Sequence, residues 1–403
     1  PFRASYRPLR MCRLWDLPDQ CVGFERLLRL AVPALHQVVA APFEDGSPPG
    51  AETASEGPDE SMPLLLALPS AGRADDDERA AEQFPALLAE ALGLRFHPSL
   101  SETLRGGHTS GVRLVQRAMD LISSGQARRV VVGGVDGYYH PDLLLALDQA
   151  DRLFGSYCPE GFLTGEAAAF VVVEAPPPRR STAPSNPAQQ EESTEVEPSV
   201  VLCRAAVDRI PDEVLAAQLD DPDHDDEDDE QPEAQGPGQP SANTAGYYAA
   251  RRAQRRLQLA LSRLIGGRGR MRSWWRRRRA RGIRARQRAE RESLPDPWAT
   301  MAELLRAASS QSGSERPWVL TDLNHDPRRA EQWSKAKIQA LPDDIQVDHF
   351  IEQIGDVGAA TTAVLLALAF AGWQLELAPA ASALVATHSN DAERGVVLLR
   401  GAP

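Results

Sequence analysis

The sequence is poor in cysteine. Four are present in 403 residues, Cys12, Cys21, Cys158 and Cys203, and no two of them form a Cys-x-x-Cys pair. A small disulfide-rich scaffold needs many cysteines, and a structural zinc site needs closely spaced pairs of ligands. The spacing therefore argues against both classes, and we expect a reducing, cytoplasmic location, no metal site and no cofactor.

Long apolar runs are also missing. The longest, "AVLLALAFAGW" at 363–373, is well short of the roughly 20 residues that span a bilayer. The opening residues, "PFRASYRPLRM", show no basic segment followed by an apolar one, so no secretory leader is predicted. With 42% hydrophobic residues the chain can bury a large core, and its length predicts two or three packing units of about 150 residues each. We expect a soluble protein.

Charge is distributed unevenly along the chain, whose formal net charge is -13. Ten acidic residues lie within 220–233, and seventeen arginines lie within 251–291, which also holds two adjacent tryptophans. Such an arginine-rich arm can bind phosphate backbones, stack on bases or lie on an anionic membrane. The alternative is a solvated, disordered insertion. We favour it because lysine appears only at Lys335 and Lys337, so that arginine is the general basic residue of this protein.

Two segments carry periodic apolar patterns, and they repeat one order of elements. In the first, residues 63–70 predict a strand, 78–94 a helix interrupted at Pro85, and 108–175 a helix, strand, helix and strand. In the second, residues 317–400 predict a strand, two helices and two further strands. Near-continuous valine runs favour a sheet that is covered on both faces.

The domain boundaries follow from these patterns. Residues 1–175 form the first half of the fold, and residues 301–403 form the second. The segment 176–300 between them has no apolar period over most of its length and is predicted to be a linker with a low-complexity acidic and basic insertion.

Each half has a turn of small residues at the entrance to a helix. The first is "GGHTSG" at 106–111, followed by a helix and by "RRVVVGGVDG"; the second opens "GDVGAATTAVLLALAF" at 355–370. Between them, residues 160–174 read "EGFLTGEAAAFVVVE". These motifs resemble the nucleophile loop, the Gly-Phe and Gly-Glu segment, and the second helix entrance of the β-ketoacyl synthases, the condensing enzymes of the thiolase superfamily.

The resemblance covers residues 63–175 and 317–400 well and residues 1–45 loosely. It implies an α/β protein with the thiolase-like five-layered α-β-α-β-α fold, made of two similar halves and interrupted by the charged insertion. It also implies a dimer. The first strand of this fold is not recognised in the sequence, which predicts that the chain begins after it.

All three positions that carry the family's chemistry are changed. In the family, a cysteine at a helix N-terminus accepts the acyl group, because the helix dipole favours its thiolate. Two histidines, or a histidine and an asparagine, then hydrogen-bond the thioester oxygen while malonyl loses carbon dioxide. The resemblance places His108 at the cysteine, Asn324 at the first histidine and Asp356 at the second. Ordinary Claisen condensation is therefore not expected.

The resemblance also implies residues that face the substrate. Phe162 and Gly165 lie in the Gly-Phe and Gly-Glu segment, and His325 directly follows the first changed histidine position. His388 precedes "SNDAERG", where the family has a glycine-rich turn. We predict that these four residues line the substrate site. No chemical role is predicted for Cys158, Asp136 and Asp148, and the two aspartates are expected to cap or pair at the surface.

Three functions remain open at this point. The first is a noncatalytic partner subunit of fatty acid or polyketide metabolism, which meets an acyl carrier protein or acyl thioester as a homodimer or beside an active synthase. The second is an acyltransferase or hydrolase of acyl thioesters that uses His108 with Asp356. The third is a scaffold whose working part is the 251–291 arm, bound to nucleic acid or membrane. We favour the first.

Overall fold

Two sheets and their helices make up the described part of the chain. The computed structural model describes residues 11–40, 62–155, 158, 160–175, 200–209, 298–313, 316–389 and 393–401. All of them belong to one unit, formed by Pro1–Ile210 and Pro297–Pro403. The predicted linker at 176–198 and the charged insertion at 211–295 lie outside the described residues.

The first half contributes the elements that precede the linker. These are β1 (Met11–Cys12), α1 (Gly23–Ala40), β2 (Leu64–Ala67), α2 (Glu78–Leu92), β3 (Glu102–Leu104), α3 (Ser110–Ser123), β4 (Arg129–Gly137), α4 (Pro141–Gln149) and β5 (Thr164–Glu174). A short 3-10 turn, Gly107–Thr109, leads into α3.

The second half contributes the remaining described elements. These are β6 (Val200–Arg209), α5 (Ala299–Ser309), β7 (Trp318–Thr321), α6 (Pro327–Ala340), β8 (Val347–Asp348), α7 (Ile351–Ile354), α8 (Thr361–Gln374), β9 (Ser382–His388) and β10 (Glu393–Gly401). A second 3-10 turn, Gly358–Ala360, leads into α8. In none of the ranges that the structure describes does a helix combine the length and apolar character needed to cross a membrane.

The two sheets have the same strand order. The first runs β1-β5-β4-β2-β3 and the second β6-β10-β9-β7-β8, so each half, counted from its own first strand, reads 1-5-4-2-3. In both, the fifth strand is antiparallel to the fourth, and the second, third and fourth are parallel. The repeat predicted from the sequence is therefore present in the topology.

Helices cover both faces of each sheet. Helices α1 and α2 pack on the outer face of the first sheet, and α5 and α6 pack on the outer face of the second. Helices α3 and α8 lie between the sheets, where Val115 and Leu365 share one core with Val132 and Val385. The result is the five-layered α-β-α-β-α arrangement that the resemblance implies.

Glycine permits the close contact of the two central helices. A Cβ placed on Gly111 would lie 2.4 Å from Cβ of Thr362, which is closer than side chains approach. Each helix entrance also holds a glycine in the left-handed region, Gly107 with φ +74 and Gly358 with φ +49. Because other residues adopt this conformation only with strain, the small residues of both motifs are explained by backbone geometry.

The halves differ at one sheet edge. Strand β6 pairs antiparallel with β10 over its whole length, from Glu393 to Gly401. Strand β1 stands at the equivalent edge of the first sheet, but it pairs with only Thr164 and Gly165 of β5, and it is parallel. A full-length first strand is not found among the described residues, so residues 166–174 of β5 have β4 as their described strand neighbour.

Some local predictions were wrong. Helix α2 continues through Pro85, because its ends are fixed by the Asp77 cap and by Gly93 and its apolar face, including Phe84, is buried. Asp136 and Asp148 were expected at the surface but are 1% and 2% exposed. Six described elements had not been predicted, because their apolar patterns are short or adjoin low-complexity sequence: β1, β3, β6, α5, β8 and α7.

Candidate functional site

The site lies where the two central helices begin. His108 is in the turn before α3, Asp356 is two residues ahead of the turn before α8, and Asn324 lies between β7 and α6. All three are buried, with exposures of 2%, 1% and 2% in that order. The structure therefore brings together the three residues predicted at the family's chemical positions, although 248 residues separate the first from the last.

Asp356 is the centre of the hydrogen-bond network. Its Oδ1 accepts from Nε2 of His108 at 2.8 Å, from the hydroxyl of Tyr138 at 3.0 Å and from the backbone N–H of Gly358 at 2.9 Å. Its Oδ2 accepts from Nδ2 of Asn324. The carboxylate is thus surrounded by donors, and buried carboxylates that accept several hydrogen bonds are favoured in their charged form.

The charge of Asp356 follows from these contacts. Burial alone would raise the pKa of its carboxyl, but His108, the nearby Arg329 and the Gly358 amide outweigh that effect and hold the pKa well below its usual range. Nη1 of Arg329 lies 4.0 Å from Oδ2. Burial and the neighbouring Asp356 raise the pKa of the Tyr138 phenol, so that Tyr138 stays a donor at neutral pH.

One ring nitrogen of His108 makes a hydrogen bond to a described residue, and the other makes none. Because Nε2 faces an ionised carboxylate, it carries a proton and donates a hydrogen bond to Oδ1 of Asp356. Nδ1 is buried and has no hydrogen-bond partner among the described residues. In the neutral tautomer this nitrogen is the basic one, which leaves a single atom of the ring able to accept a proton.

A second histidine–aspartate pair lies beside the first. His388 shares a 2.8 Å hydrogen bond between its Nδ1 and Oδ1 of Asp322, and its backbone N–H donates to Oδ2 at 2.6 Å. Nη1 of Arg329 is 3.6 Å from Oδ2 of Asp322, so the guanidinium lies between this carboxylate and Asp356. Burial lowers the pKa of His388 despite its aspartate partner. Both side chains are fully buried, and His388 contacts Asp322 in the interior of the protein.

The other residues predicted to face the substrate have structural contacts here. The ring of Phe162 packs edge-on against Tyr138 at 5.6 Å between centroids. The N–H of Gly165 donates to the backbone oxygen of Asp356 at 2.8 Å. His325 is exposed, has φ +70, and stacks obliquely on Phe154 at 6.4 Å. Their role in substrate binding stays a prediction.

Sequence reasoning missed Tyr138, Arg329, Arg73 and the true role of Asp136. Oδ1 of Asp136 accepts from Nη1 of Arg73 at 2.7 Å, and Oδ2 accepts from the N–H of Ala359, in the second helix entrance, at 2.8 Å. Asp136 comes near the end of β4, and side chains at the carboxyl ends of strands are frequent site residues in open α/β sheets. The position of Asp136 near the end of a predicted strand could therefore have marked it as a site residue.

Stability should decrease in acid partly through Asp356. Its pKa is lower in the folded chain than in the unfolded one, where it is about 3.9, so the unfolded chain binds the proton first as the pH falls. The contribution of Asp356 is therefore complete above roughly pH 4 and is lost as the pH falls towards its depressed pKa. Urea unfolding across this range should give a shallower acid slope for Asp356→Asn than for wild type. Equal slopes would contradict the assignment.

Comparisons with known proteins agree on the fold. No protein-family model matches the sequence, and no curated protein matches it. Among solved structures, the chain is similar to the ishigamide ketosynthase/chain length factor at 16% identity and a TM-score of 0.52, covering 97% of this chain and 86% of that one.

Two further solved structures are similar at a TM-score of 0.51. One is the AntDE:AntF complex, a type II polyketide synthase acyl carrier protein with its ketosynthase bound to the hexaketide (12% identity, TM-score 0.51, 97% of this chain and 90% of that one). The other is the oxazolomycin ketosynthase domain OzmH KS7 of Streptomyces albus JA3453 (12% identity, TM-score 0.51, 94% and 60%). The chain has the thiolase-like fold of the ketosynthases, as the resemblance implied.

Proposed function

We propose that this chain, which has the ketosynthase fold but not the ketosynthase groups, is a noncatalytic partner subunit of fatty acid or polyketide metabolism. The observation that carries the proposal is the 2.8 Å hydrogen bond between buried His108 and buried Asp356. It joins the position of the family's nucleophile to the position of its second histidine. Both groups are thereby committed to each other instead of to a substrate.

The chemistry of the site supports the same function. An imidazole at His108 cannot form the thioester that a cysteine forms, and the free thiol of Cys158 donates elsewhere, to the backbone oxygen of Asp151 at 2.8 Å. An ionised Asp356 also repels the carboxylate of a malonyl group. Acyl transfer therefore lacks its thiol nucleophile, and decarboxylation lacks the neutral hydrogen-bond donor that would face the malonyl group.

The partners follow from the proposal. One of the similar structures contains an acyl carrier protein in complex with its ketosynthase, which supports an acyl carrier protein or acyl thioester as the partner of this chain. We propose that the chain forms a homodimer or a heterodimer with an active synthase. The cytoplasmic location stays a prediction, and the 251–291 arm lies outside the described residues.

The test uses acyl and malonyl thioesters of carrier proteins. Wild type and His108→Ala are incubated with each, and acyl transfer, carbon dioxide release and free thiol are measured. We expect rates that are the same for the two proteins. Affinity purification from the native cells should in addition recover a ketosynthase with its cysteine, or an acyl carrier protein. Activity of wild type above the variant, or recovery of neither partner, would overturn the proposal.

One observation favours a second candidate, an acyl-thioester hydrolase. Nδ1 of His108 has no hydrogen-bond partner within the described ranges while Asp356 fixes the opposite nitrogen, which is the arrangement of a general base held by a carboxylate. In hydrolysis, Nδ1 would take a proton from water, the hydroxide would add to the thioester carbon, and the thiol would leave with that proton. This candidate requires that thiol release fall by about 10²–10⁴-fold in His108→Ala.

A further inference from the structure

Hydrogen-bond donors from four parts of the chain surround the carboxylate of Asp356. Four groups converge on one carboxylate: Nε2 of His108, the hydroxyl of Tyr138, Nδ2 of Asn324 and the N–H of Gly358. We infer that these donors make a carboxylate pocket that the chain fills with its own Asp356 side chain. The pocket will accept a free carboxylate ion of matching size when that side chain is removed.

The donors are held in place independently of the carboxylate. The backbone oxygen of His108 accepts from Oγ1 of Thr362 at 3.0 Å, which fixes the turn that carries the imidazole. The ring of Tyr138 is fixed edge-on against Phe162. Because these contacts do not involve Asp356, both donors keep their positions after its removal. A pocket whose donors are already arranged binds its ligand without the cost of ordering them.

The groups on the Oδ2 side of Asp356 are also held in place by contacts other than those to its carboxylate. Oδ1 of Asn324 accepts from the N–H of Asp326 at 3.2 Å, which orients the amide so that its nitrogen faces the pocket. Arg329 is held by Asp322, and its Nη1 lies 4.0 Å from Oδ2 of Asp356. The pocket therefore keeps a fixed positive charge. It also lies at the N-terminal end of α8 and its leading turn, where the helix dipole favours an anion.

The arrangement selects a planar anion with two oxygens. Three donors meet at the position of Oδ1 and one at the position of Oδ2 of Asp356. Alanine at this position removes the carboxyl group alone, a space with the shape of formate. Glycine removes the Cβ as well, which leaves a space with the shape of acetate. The ligand class is thus a small carboxylate, chosen by size.

This inference deepens the proposed function and rests on it for one point, namely that the pocket is closed to outside ligands in wild type. A noncatalytic site is explained if the chain itself supplies the anion. The two ideas fail separately. The proposed function fails in the carrier-thioester assays of wild type, whereas the pocket fails in ion titrations of variants that carry out no reaction.

The experiment measures unfolding of Asp356→Ala and Asp356→Gly in formate or acetate, with sodium chloride keeping the ionic strength constant. We expect formate to stabilise the alanine variant, and acetate to stabilise the glycine variant more than formate does. At ten times its dissociation constant the ion should raise the free energy of unfolding by ~1.4 kcal/mol, a tenfold shift of the equilibrium. Wild type and Asp356→Asn, whose pockets are filled, should respond as they do to chloride.

A response equal to that in chloride would contradict the inference. If neither ion stabilises either variant beyond chloride, the donors do not form a pocket. Should the alanine and glycine variants fail to fold in chloride, refolding in the matching ion is expected to recover native protein, and Asp356→Ser, which keeps one small polar group, supplies a milder background. Failure of all three variants to gain from either ion also overturns the inference.

Discussion

Asp136→Ala is expected to lower the free energy of unfolding by about 3–5 kcal/mol, the range found when one member of a buried ion pair is removed. Asp136 is 1% exposed, and it holds the guanidinium of Arg73 with one oxygen and the N–H of Ala359 with the other. Alanine leaves the N–H of Ala359 buried without its acceptor, and it removes one carboxylate from Arg73, whose side chain is 15% exposed and keeps its pair with Asp75. Since Ala359 belongs to the entrance of α8, the change also removes a direct link between the two halves.

Urea unfolding followed by circular dichroism measures this effect. Asp136→Asn keeps an acceptor oxygen but no charge, so its loss should be smaller. Asp142→Ala serves as the matched control, because Asp142 is an exposed aspartate in the first turn of α4 and its replacement should change the free energy by no more than about 0.5 kcal/mol. If Asp136→Ala behaved like this control, the role assigned to Asp136 would be wrong.

Arg26→Met should destabilise the chain by a similar amount, about 3–5 kcal/mol. Arg26 donates from Nη2 to Oε1 of Glu166 at 2.7 Å and from Nε to Oε2, and the two side chains are 2% and 0% exposed. Methionine preserves much of the volume of the side chain but leaves Glu166 as a buried charge without its partner. The cost therefore comes mainly from the carboxylate left without its cation, and in part from the backbone oxygens of Leu14, Pro18 and Cys21 that lose their hydrogen bonds to Arg26.

Helix α1 supplies an internal control for this prediction. Arg29, one turn away, pairs with Glu25 in solvent, with side-chain exposures of 51% and 64%. Arg29→Met should therefore cost less than about 1 kcal/mol, as exposed pairs do. The double variant Arg26→Met/Glu166→Gln should lose less than the sum of its single changes. Additive losses would show that the two side chains are not energetically coupled.

Part of the fold could be predicted from local sequence and part could not. The two helix entrances were found because glycines such as Gly107 and Gly358 are required by the backbone itself, so a pattern of a few residues reveals them. Strand β6 was missed because it gains its hydrogen bonds from β10, whose partner residues lie 184 to 201 positions further along the chain. A pattern within a few neighbouring residues cannot predict a pairing over that distance.

The site divides in the same way. The positions of His108, Asn324 and Asp356 came from the resemblance, and the structure brings them into one network. Tyr138 and Arg329 were missed because nothing in their neighbourhood in sequence marks a side chain that reaches a carboxylate far along the chain. Asp136 was misplaced for a physical reason: isolated aspartates are usually exposed, and its partner is 63 residues earlier.

Because β10 lies between β6 and β9 in the sheet, β6 cannot pair within this sheet until the ribosome has made β10. A ribosome that adds 5–20 residues per second reaches Glu393 roughly 10–40 s after it has completed Arg209, its partner in the register. Over that interval the nascent second sheet lacks β10, which is the strand that joins β6 to β9. The first sheet is complete in sequence by Glu174, so it can fold while translation continues. A chaperone that shields extended apolar segments would therefore be needed for the second half far more than for the first.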